Sequence, residues 1–351
     1  MHRITLIPGD GIGPEVTGAA RDALLAAGAA LEFEEVIAGE RAEKEHGTPL
    51  PRAVFDSIDR TKIALKGPTQ TPFGGDYRIT VERADATGRT GKRTYPSIAI
   101  ALRRELGLFA NVRPVKNYPG IASRFEKVDL VIFRENSEDL YVGVERMVDE
   151  GTAEAIKLIS ERATARMTRF ALDYMGRLGR RRLTIGHKAN VLKMTDGLFL
   201  KTAQNIAKGR PEFAVDQRVV DALCMELVMR PDEFDCLLLP NLYGDIVSDL
   251  AAGLVGGLGV APGANFGPEC AMFEAVHGTA PDIAGKDIAN PTAMTLTGIM
   301  MLRYLGQSAA ADRVEAALVA VLREGRAVTP DLGGQAGTRA MSAAIVAKLQ
   351  G

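Results

Sequence analysis

The 351-residue chain lacks tryptophan, contains three cysteines and carries almost no net charge. Its 43 Lys and Arg residues nearly balance its 44 Asp and Glu residues, which gives a formal charge of −1 at pH 7. A nucleic-acid-binding protein normally has a basic excess, so this balance argues against that class. The cysteines, Cys224, Cys236 and Cys270, are too few for a disulfide framework and include no C-x-x-C zinc pair. We therefore expect a reduced, cytoplasmic setting.

Long hydrophobic runs are absent as well. No run approaches the roughly 18 apolar residues that a membrane-spanning helix needs, so we expect no contact with the bilayer. The first apolar stretch, Ile4–Ile7, is too short for the hydrophobic region of a signal peptide. Glycine, in contrast, is abundant at 37 residues, which predicts many tight turns or close approaches to a ligand. The length predicts two domains, because a single core is at its limit here.

Short apolar segments alternate with amphipathic segments along the chain. We predict strands at Ile4–Ile7, Val128–Phe133, Leu183–Ile185 and Phe234–Leu239, and helices at Val16–Ala30, Ala153–Leu178, Asp196–Lys208 and Ala309–Glu324. This alternation predicts an α/β fold with a mainly parallel sheet and helices on both faces. Asp76–Lys92 is polar, rich in arginine and contains two glycines, which predicts an exposed loop or hairpin.

The segment Gly9–Gly13, after the first predicted strand, begins like a dinucleotide-binding loop. The G-x-G-x-x-G motif requires glycine at its sixth position, where this chain has Pro14. The segment is therefore weak evidence for nucleotide binding. A strand-to-helix turn that needs small residues explains it at least as well.

Two carboxylates, Asp245 and Asp249, follow the predicted strand Phe234–Leu239 and are four residues apart. On a helix they would be neighbours on one face and would repel each other unless a cation lay between them. Mg²⁺ and Mn²⁺ prefer such oxygen ligands. A pair of this kind can equally face solvent, but the apolar, glycine-rich segment Leu250–Gly259 predicts a buried helix, in which carboxylates need partners.

Basic residues near predicted strand ends indicate an acidic ligand. Arg134 ends a predicted strand, where α/β proteins bind ligands, and Arg103 and Arg113 precede it in the chain. Guanidinium groups pair naturally with carboxylates, so the three arginines weakly predict a polycarboxylate substrate. Lys188 follows another strand and can serve as a base, with Tyr141 as a proton donor. The residues alone predict a metal-assisted α/β enzyme that acts on an acidic small molecule.

Several long motifs together resemble one enzyme family. In chain order they are IPGDGIGPE at Ile7–Glu15, LKGPTQTP at Leu65–Pro72, NVRPV at Asn111–Val115, FRENSEDLYVG at Phe133–Gly143, HKANVLKMTDGLF at His187–Phe199, PNLYGDIVSDLAAGLVGGLG at Pro240–Gly259 and HGTAPDIAGKDIANPTA at His277–Ala293. Over nearly its whole length the chain resembles the β-decarboxylating dehydrogenases, which act on isocitrate, 3-isopropylmalate, homoisocitrate or tartrate. The NAD-dependent isocitrate enzymes are the nearest resemblance.

The resemblance implies an isopropylmalate dehydrogenase-like α/β fold with a doubly wound sheet and two domains. A larger nucleotide-binding domain would combine residues 1–97 and 250–351, and a smaller domain, residues 98–249, would hold the dimer interface. The nucleotide would bind at a non-Rossmann site, against the loop His277–Asn290. The active site would lie in the cleft and take Lys188 and Asp221 from the second subunit of a homodimer or higher homo-oligomer.

The resemblance also implies roles for individual residues. The ligands of Mg²⁺ or Mn²⁺ would be Asp245 and Asp249, with Asp221 from the second subunit. Lys188 matches the lysine that takes part in removing the substrate's hydroxyl proton, and Tyr141 matches the tyrosine that protonates the enol. The substrate would contact Ser97, Arg103, Arg113 and Arg134. The nucleotide would contact Thr71, Asn190, His277, Gly278, Ala280, Asp282, Ile283 and Asn290.

Asp282 determines the expected cofactor. A carboxylate can accept a hydrogen bond from the ribose 2′-hydroxyl of NAD and would repel the 2′-phosphate of NADP. Relatives that use NADP have a Lys-Tyr pair where this chain has Asp282-Ile283. We therefore expect NAD.

The substrate expected from the resemblance is isocitrate, which would be converted to 2-oxoglutarate. Ser97 matches a serine that isocitrate enzymes use on the γ-carboxylate, but Ala99 replaces their usual asparagine. The Asp76–Lys92 insertion precedes the segment that contains Ser97 and Ala99. The identity of the third substituent on the malate core of the substrate is therefore not decided. Homoisocitrate is the main alternative, followed by 3-isopropylmalate, tartrate or malate. A non-catalytic regulatory subunit would share the fold but lose catalytic residues, which are all present here.

Overall fold

A computed structural model describes residues 1–72, 77–84 and 90–351 of the chain. Its strands are β1 (His2–Ile7), β2 (Leu31–Glu35), β3 (Ile63–Lys66), β4 (Ile79–Ala84), β5 (Thr90–Tyr95), β6 (Ala110–Lys116), β7 (Asp129–Glu135), β8 (Glu145–Asp149), β9 (Thr152–Ala155), β10 (Arg182–His187), β11 (Ala214–Val219), β12 (Cys236–Leu239), β13 (Ala264–Phe266) and β14 (Ala271–Glu274). Its helices are α1 (Gly13–Ala26), α2 (Glu40–His46), α3 (Arg52–Thr61), α4 (Ile98–Glu105), α5 (Glu161–Leu178), α6 (Thr195–Lys208), α7 (Val220–Met229), α8 (Asn241–Gly253), α9 (Thr292–Tyr304), α10 (Ser308–Glu324) and α11 (Thr338–Gln350).

The chain divides into two compact units, each made of separate stretches of sequence. The first unit comprises Met1–Leu106, Tyr118–Ala122 and Leu258–Gly351, and the second comprises Gly107–Asn117 and Ser123–Gly257. These limits differ from the predicted boundaries after residues 97 and 249. Helix α4 belongs to the first unit because it packs on β4 and β5, and the end of α8 stays with the rest of its helix in the second.

The sheet of the first unit has the strand order β13-β14-β3-β1-β2 in the described residues. Strands β14, β3, β1 and β2 run parallel, whereas β13 is antiparallel to β14. Every residue of β3 is buried, as expected for a central parallel strand. Ile7, Lys66 and Glu274 are register partners at the carboxyl ends of β1, β3 and β14. Two charged side chains therefore meet at this edge of the sheet.

The sheet of the second unit has the strand order β11-β10-β12-β7-β6 in the described residues. Strands β11, β10, β12 and β7 run parallel, and β6 is antiparallel to β7. Arg134 of β7 is a register partner of Asn111 on β6 and of Leu239 on β12. Because α8 follows β12 directly and packs against β6 and β7, its side chains reach the arginines of both strands.

The α/β class and the mainly parallel pairing are confirmed, and one predicted helix is wrong in its first part. Helix α5 begins at Glu161, not at Ala153, because Ser160 caps it by accepting a hydrogen bond from the Ala163 N–H. Residues Thr152–Ala155 instead form β9, which pairs with β8. Helix α1 ends at Ala26 and not at the predicted Ala30, because the chain turns at Gly28, which adopts a φ of +71°.

The predicted loop or hairpin at Asp76–Lys92 is a hairpin where the structure describes it. Strands β4 and β5 pair in antiparallel register from Ile79 with Tyr95 to Ala84 with Thr90. Asp76 and residues 85–89 lie outside the described residues. Among the described residues, no helix combines the length and apolar character needed to cross a bilayer. All three cysteines are free thiols, and Cys236 and Cys270 are buried.

Candidate active site

Arg134 lies at the centre of a buried polar cluster in the second unit, with 1% of its side chain exposed. Its Nε donates to Asn241 Oδ1 at 2.9 Å, and its Nη1 donates to Asp245 Oδ1 at 2.6 Å. The guanidinium also lies 4.9 Å from the ring centroid of Tyr141, a cation–π contact. Gly244 permits this packing, because a Cβ there would lie 2.6 Å from Arg134 Cγ. Helix α8 can therefore approach β7 closely enough for Asp245 to reach Arg134.

Arg113 makes a second set of contacts with the same helix. Its Nε donates to Asn111 Oδ1 at 2.9 Å, and its Nη1 donates to Ser248 Oγ at 2.6 Å. Ion pairs of 3.2 Å join Arg113 Nη2 to Asp245 Oδ1 and Arg113 Nη1 to Asp249 Oδ1. The two arginines thus offset the mutual repulsion of the two aspartates.

The aspartate pair is less buried than the sequence predicts. Helix α8 buries one face, which includes Gly244, Val247 and Ala251, as expected. However, 32% of the Asp245 side chain and 51% of the Asp249 side chain are exposed. Burial and the neighbouring Asp245 raise the pKa of Asp249, although Arg113 and Arg134 act in the opposite direction. The carboxylates lie at the edge of the buried face, where a cation from solvent can reach them.

Tyr141 is fixed against the same helix. It lies in a short 3₁₀ helix, Leu140–Val142, and its hydroxyl donates a hydrogen bond to Asp245 Oδ2. The preceding Asp139 adopts a φ of +71°, and its Oδ2 accepts a hydrogen bond of 2.8 Å from the Leu242 N–H in the first turn of α8. The proton-bearing oxygen of Tyr141 is therefore held beside an aspartate that we predict to bind metal.

Lys188 and Asp221 form a second group in this unit. Lys188 directly follows β10, Asp221 lies in the first turn of α7, and Lys188 Nζ is 2.6 Å from Asp221 Oδ1. The hydrogen bond from Lys188 lowers the pKa of Asp221. The side chains are 27% and 68% exposed, respectively, and Asn190 is exposed in the loop after Lys188. The two residues that the resemblance assigns to a neighbouring subunit's site are thus adjacent in one chain.

Arg103, in the first unit, belongs to a buried charge cluster that the sequence did not predict. Its Nη2 is 3.2 Å from Glu274 Oε1, which also accepts a hydrogen bond of 2.8 Å from Asn265. The Nζ of Lys66 lies 3.0 Å from the other oxygen of Glu274. Burial raises the pKa of Glu274, but Lys66 and Arg103 outweigh it and hold this pKa well below its usual range. Glu274 therefore stays ionised and fixes one end of the Arg103 guanidinium.

We expect Glu274→Gln to lower the free energy of unfolding at pH 7 by about 3 kcal/mol, because Lys66 and Arg103 lose their buried counter-charge. Since the folded-state pKa of Glu274 is depressed, its stabilisation is complete above the unfolded pKa of about 4.3 and is lost as pH falls towards the folded value. The difference in the free energy of unfolding between the wild type and Glu274→Gln should narrow below about pH 4.3. Urea unfolding at pH 7 and pH 3.5 measures it, and a difference that does not change with pH would contradict the ion-pair assignment.

Ser97 and Ala99 lie at the start of α4. Ser97 is the N-cap residue, and its buried Oγ accepts a hydrogen bond of 3.1 Å from the Ile100 N–H. Its hydroxyl hydrogen can still be donated to a ligand. Ala99 is partly exposed in the first helical turn. Both positions that bear on the choice of substrate are therefore on one turn of one helix.

The glycines of the β1–α1 turn are required by backbone packing. Gly9 has a φ of +76°, and a Cβ there would lie 2.0 Å from the Pro68 carbonyl oxygen. Gly11 has a φ of +59°, and a Cβ there would lie 2.0 Å from the carbonyl oxygen of Thr279, which accepts the Ile12 N–H. These contacts favour the structural-turn interpretation of Gly9–Gly13. They also fix the turn against the loop that we predict to hold the nucleotide.

That loop presents several of the predicted nucleotide contacts. His277 is half-buried, and burial lowers its pKa, which favours a neutral ring. Gly278 is exposed and Ala280 adopts a left-handed conformation with a φ of +40°. Asp282 and Ile283 share the short 3₁₀ helix Pro281–Ile283, in which the Asp282 side chain is exposed. The Asp282 carboxylate is thus available to a ligand.

Asn290 has a structural role at the end of the same loop. Its Oδ1 accepts a hydrogen bond of 2.9 Å from the Thr292 N–H at the start of α9, and its Nδ2 donates to Asp331 Oδ2 at 2.9 Å. Both polar atoms of its side chain are engaged in this way. The Nδ2 amino group keeps a second N–H that can be donated to a ligand. Thr71, the remaining predicted contact, is exposed after β3.

The structure thus brings five predicted residues of the second unit together and pairs two others. The cluster contains Arg113, Arg134, Tyr141, Asp245 and Asp249, and the pair is Lys188 with Asp221. Sequence reasoning missed the neighbours of the arginines, namely Asn111, Asn241 and Ser248 around Arg113 and Arg134, and Lys66, Asn265 and Glu274 in the cluster of Arg103. Lys66 and Glu274 had a usable signal, since each charged residue ends a short apolar strand.

These features describe an α/β enzyme in which arginines of β6 and β7, aspartates of α8 and a tyrosine meet. A family model described as isocitrate/isopropylmalate dehydrogenase matches residues 3–345. The chain belongs to this family.

Individual relatives are similar over almost the full length. A Drosophila melanogaster protein, named as the probable alpha subunit of mitochondrial NAD isocitrate dehydrogenase, is 42% identical over 99% of this chain and 87% of its own. A Dictyostelium discoideum protein, named as a regulatory subunit of mitochondrial NAD isocitrate dehydrogenase, is 41% identical over 99% of this chain and 92% of its own. The crystal structure of isocitrate dehydrogenase from Methylococcus capsulatus matches with a TM-score of 0.92 and 46% identity, covering 100% of both chains.

Proposed function

We propose that this protein is an NAD-dependent isocitrate dehydrogenase that converts isocitrate to 2-oxoglutarate and CO₂. The observation that carries the proposal is the joint cluster of Arg113, Arg134, Tyr141, Asp245 and Asp249, in a chain whose relatives bear isocitrate dehydrogenase names. Those names favour isocitrate over homoisocitrate, 3-isopropylmalate, tartrate and malate.

Asp245 and Asp249 fit a hard divalent cation by their chemistry. They offer carboxylate oxygens one helical turn apart, both partly exposed, which suits Mg²⁺ or Mn²⁺. Within the described residues, no group of three or more His, Cys, Asp and Glu side chains is placed to hold a metal ion. We propose that substrate oxygens and Asp221 of a second subunit complete the set.

The residues of the chain would divide the chemistry among them. Bound metal would polarise the substrate's 2-hydroxyl and α-carboxylate, and bound NAD would accept the hydride from C2. The guanidinium groups of Arg113 and Arg134, now paired with aspartates, can pair instead with substrate carboxylates, and Arg103 would hold another. Lys188 would take part in removing the hydroxyl proton. After CO₂ leaves, the Tyr141 hydroxyl would deliver a proton to C3 of the substrate.

We propose NAD as the cofactor on the basis of the exposed Asp282, and its replacement tests this choice. Asp282→Lys should lower kcat/KM for NAD by roughly tenfold to 100-fold, because a charge-assisted hydrogen bond of about 1.5–3 kcal/mol is lost. The ratio of kcat/KM for NAD to kcat/KM for NADP should fall, since lysine attracts the 2′-phosphate of NADP. Steady-state kinetics with both nucleotides measure this, and Asp312→Lys on exposed α10 is the control. Unchanged NAD preference would contradict the role of Asp282.

The proposed assembly is a homodimer or higher homo-oligomer with shared active sites. Relatives that are named as subunits support an oligomer, and the names of these relatives also say mitochondrial. For this chain we keep a reduced, cytoplasmic setting as the proposal, which three free thiols suit.

A substrate panel tests the proposed activity. We expect NADH formation with isocitrate, in the presence of Mg²⁺ or Mn²⁺, to exceed that with homoisocitrate, 3-isopropylmalate, malate and tartrate. If another acid is oxidised faster than isocitrate, that acid is the substrate and the proposal of isocitrate is wrong. Because the name of one relative describes a regulatory subunit, the panel also covers a second candidate function. Protein that binds nucleotide and metal but oxidises none of the acids would indicate a regulatory subunit.

A further inference from the structure

Lys157 is a buried cation in the second unit to which neither the motifs nor the proposed mechanism assigns a role. It lies between β9 and α5, with 12% of its side chain exposed. Its Nζ is 2.5 Å from Asp196 Oδ1 and 3.7 Å from Asp139 Oδ1. It also lies 4.3 Å from the ring centroid of Tyr243, the third residue of α8. One ammonium group therefore contacts three segments that are distant in sequence.

Each of the two carboxylates holds the backbone of a proposed catalytic segment with its other oxygen. Asp196 Oδ2 accepts a hydrogen bond of 2.6 Å from the Lys188 N–H. Asp139 Oδ2 accepts a hydrogen bond of 2.8 Å from the Leu242 N–H, in the first turn of the helix that carries Asp245 and Asp249. A polar network thus links the segment of the proposed base to the helix of the proposed metal ligands. It runs through Lys188, Asp196, Lys157, Asp139 and Leu242.

The carboxylates of this polar network are buried, so the charge of Lys157 matters to them. Asp196 is fully buried and Asp139 is 1% exposed. The Lys157 ammonium pairs with the Oδ1 atoms of both carboxylates, and the Tyr243 side chain also interacts with Asp196. Burial lowers the pKa of Lys157, but the adjacent carboxylates outweigh it and raise this pKa, so the ammonium stays charged. Without it, the two buried carboxylates would lose the cation that they share.

We propose that Lys157 is a positioning residue, which fixes the Lys188 loop and the first turn of α8 through the carboxylates of Asp196 and Asp139. This inference rests on the proposed function for its effect on turnover, but the linkage itself does not depend on the substrate. Lys157 acts on the reaction only through the residues it holds.

The test compares Lys157→Met, which keeps the length of the side chain and removes its charge, with Lys157→Arg and with Lys201→Met on the exposed face of α6. We expect kcat with isocitrate to fall on the order of tenfold to 100-fold in Lys157→Met, because small displacements of catalytic groups have effects of this size. The KM should change less than about threefold, since Arg113 and Arg134 are anchored on strands. Lys157→Arg should recover most of the loss, because a guanidinium can pair with both carboxylates.

Hydrogen exchange of the backbone amides provides a readout that needs no activity. In Lys157→Met, the amides of Lys188 and Leu242 should both exchange at least about fivefold faster, while those of the β10–β11 ladder stay unchanged. Lys157→Gln carries the same expectation if the Met variant does not fold.

Two results would overturn the proposal. One is unchanged exchange at Lys188 and Leu242, and the other is uniformly faster exchange throughout the unit, which would indicate a merely stabilising residue. Wild-type protein that oxidises no isocitrate would refute the proposed function, while the exchange data would still decide the linkage.

Discussion

Replacing Asp245 with asparagine is expected to reduce kcat with isocitrate by a factor on the order of 10³ at saturating Mg²⁺ or Mn²⁺. A bound metal contributes several kcal/mol of transition-state stabilisation, and each 1.4 kcal/mol is a factor of about ten in rate. The amide removes one anionic ligand and also changes the acceptor of the Tyr141 hydroxyl and of the guanidinium groups of Arg113 and Arg134. Steady-state kinetics across a metal titration measure the effect.

Two measurements separate this loss from misfolding. Circular dichroism and thermal unfolding should show Asp245→Asn to be folded at the assay temperature, because the side chain keeps its shape. Asp173→Asn removes an exposed aspartate of the same unit and should keep wild-type activity. Activity of Asp245→Asn close to that of the wild type, with the same dependence on metal concentration, would refute the metal assignment.

Replacing Lys188 with methionine is expected to lower kcat by roughly 10² to 10⁴, the range that general acid–base groups contribute. It also leaves Asp221 without its 2.6 Å partner. Lys193→Met, in the exposed loop nearby, is the matched control and should retain activity. Substrate binding should persist in Lys188→Met, since the proposed carboxylate-binding arginines are intact.

Mixing the two inactive variants tests whether active sites are shared between chains. If Lys188 and Asp221 serve the site of the neighbouring chain, hybrids of Asp245→Asn and Lys188→Met chains contain one site with both groups intact. Activity should then reappear after the variants are dissociated and reassembled together. Sites built within single chains would leave every site of the hybrid defective, and no activity would return.

The α/β class was predictable because hydrophobic periodicity is a local property of the sequence. Apolar runs such as Leu183–Ile185 indicate buried strands wherever they pack. The start of α5 was not predictable in this way. Residues Thr152–Ala155 are exposed on β9, and their pairing with β8 depends on a turn between two polar strands. Periodicity carried no signal for that pairing.

The candidate site shows the same limit. Motifs identified the residues that carry charge, including Arg134 and Asp245, but not the partners that orient them. Lys66 and Glu274 are 208 positions apart and meet only because β3 and β14 are neighbours in the sheet. The side chain of Asp249 is more exposed than the sequence predicts, and this exposure likewise depends on where α8 lies against β7. Such features follow from tertiary packing, which no single segment encodes.

The pairing of β3 with β14 also has a consequence for synthesis on the ribosome. At about 5–20 residues per second, the 208 positions between Lys66 and Glu274 take roughly 10 to 40 seconds to translate. The second unit is fully synthesised at Gly257, before β14 emerges. During that interval one edge of β3 has no neighbour, although all four of its residues are buried in the finished protein. The nascent first unit is therefore the part that we expect chaperones to protect.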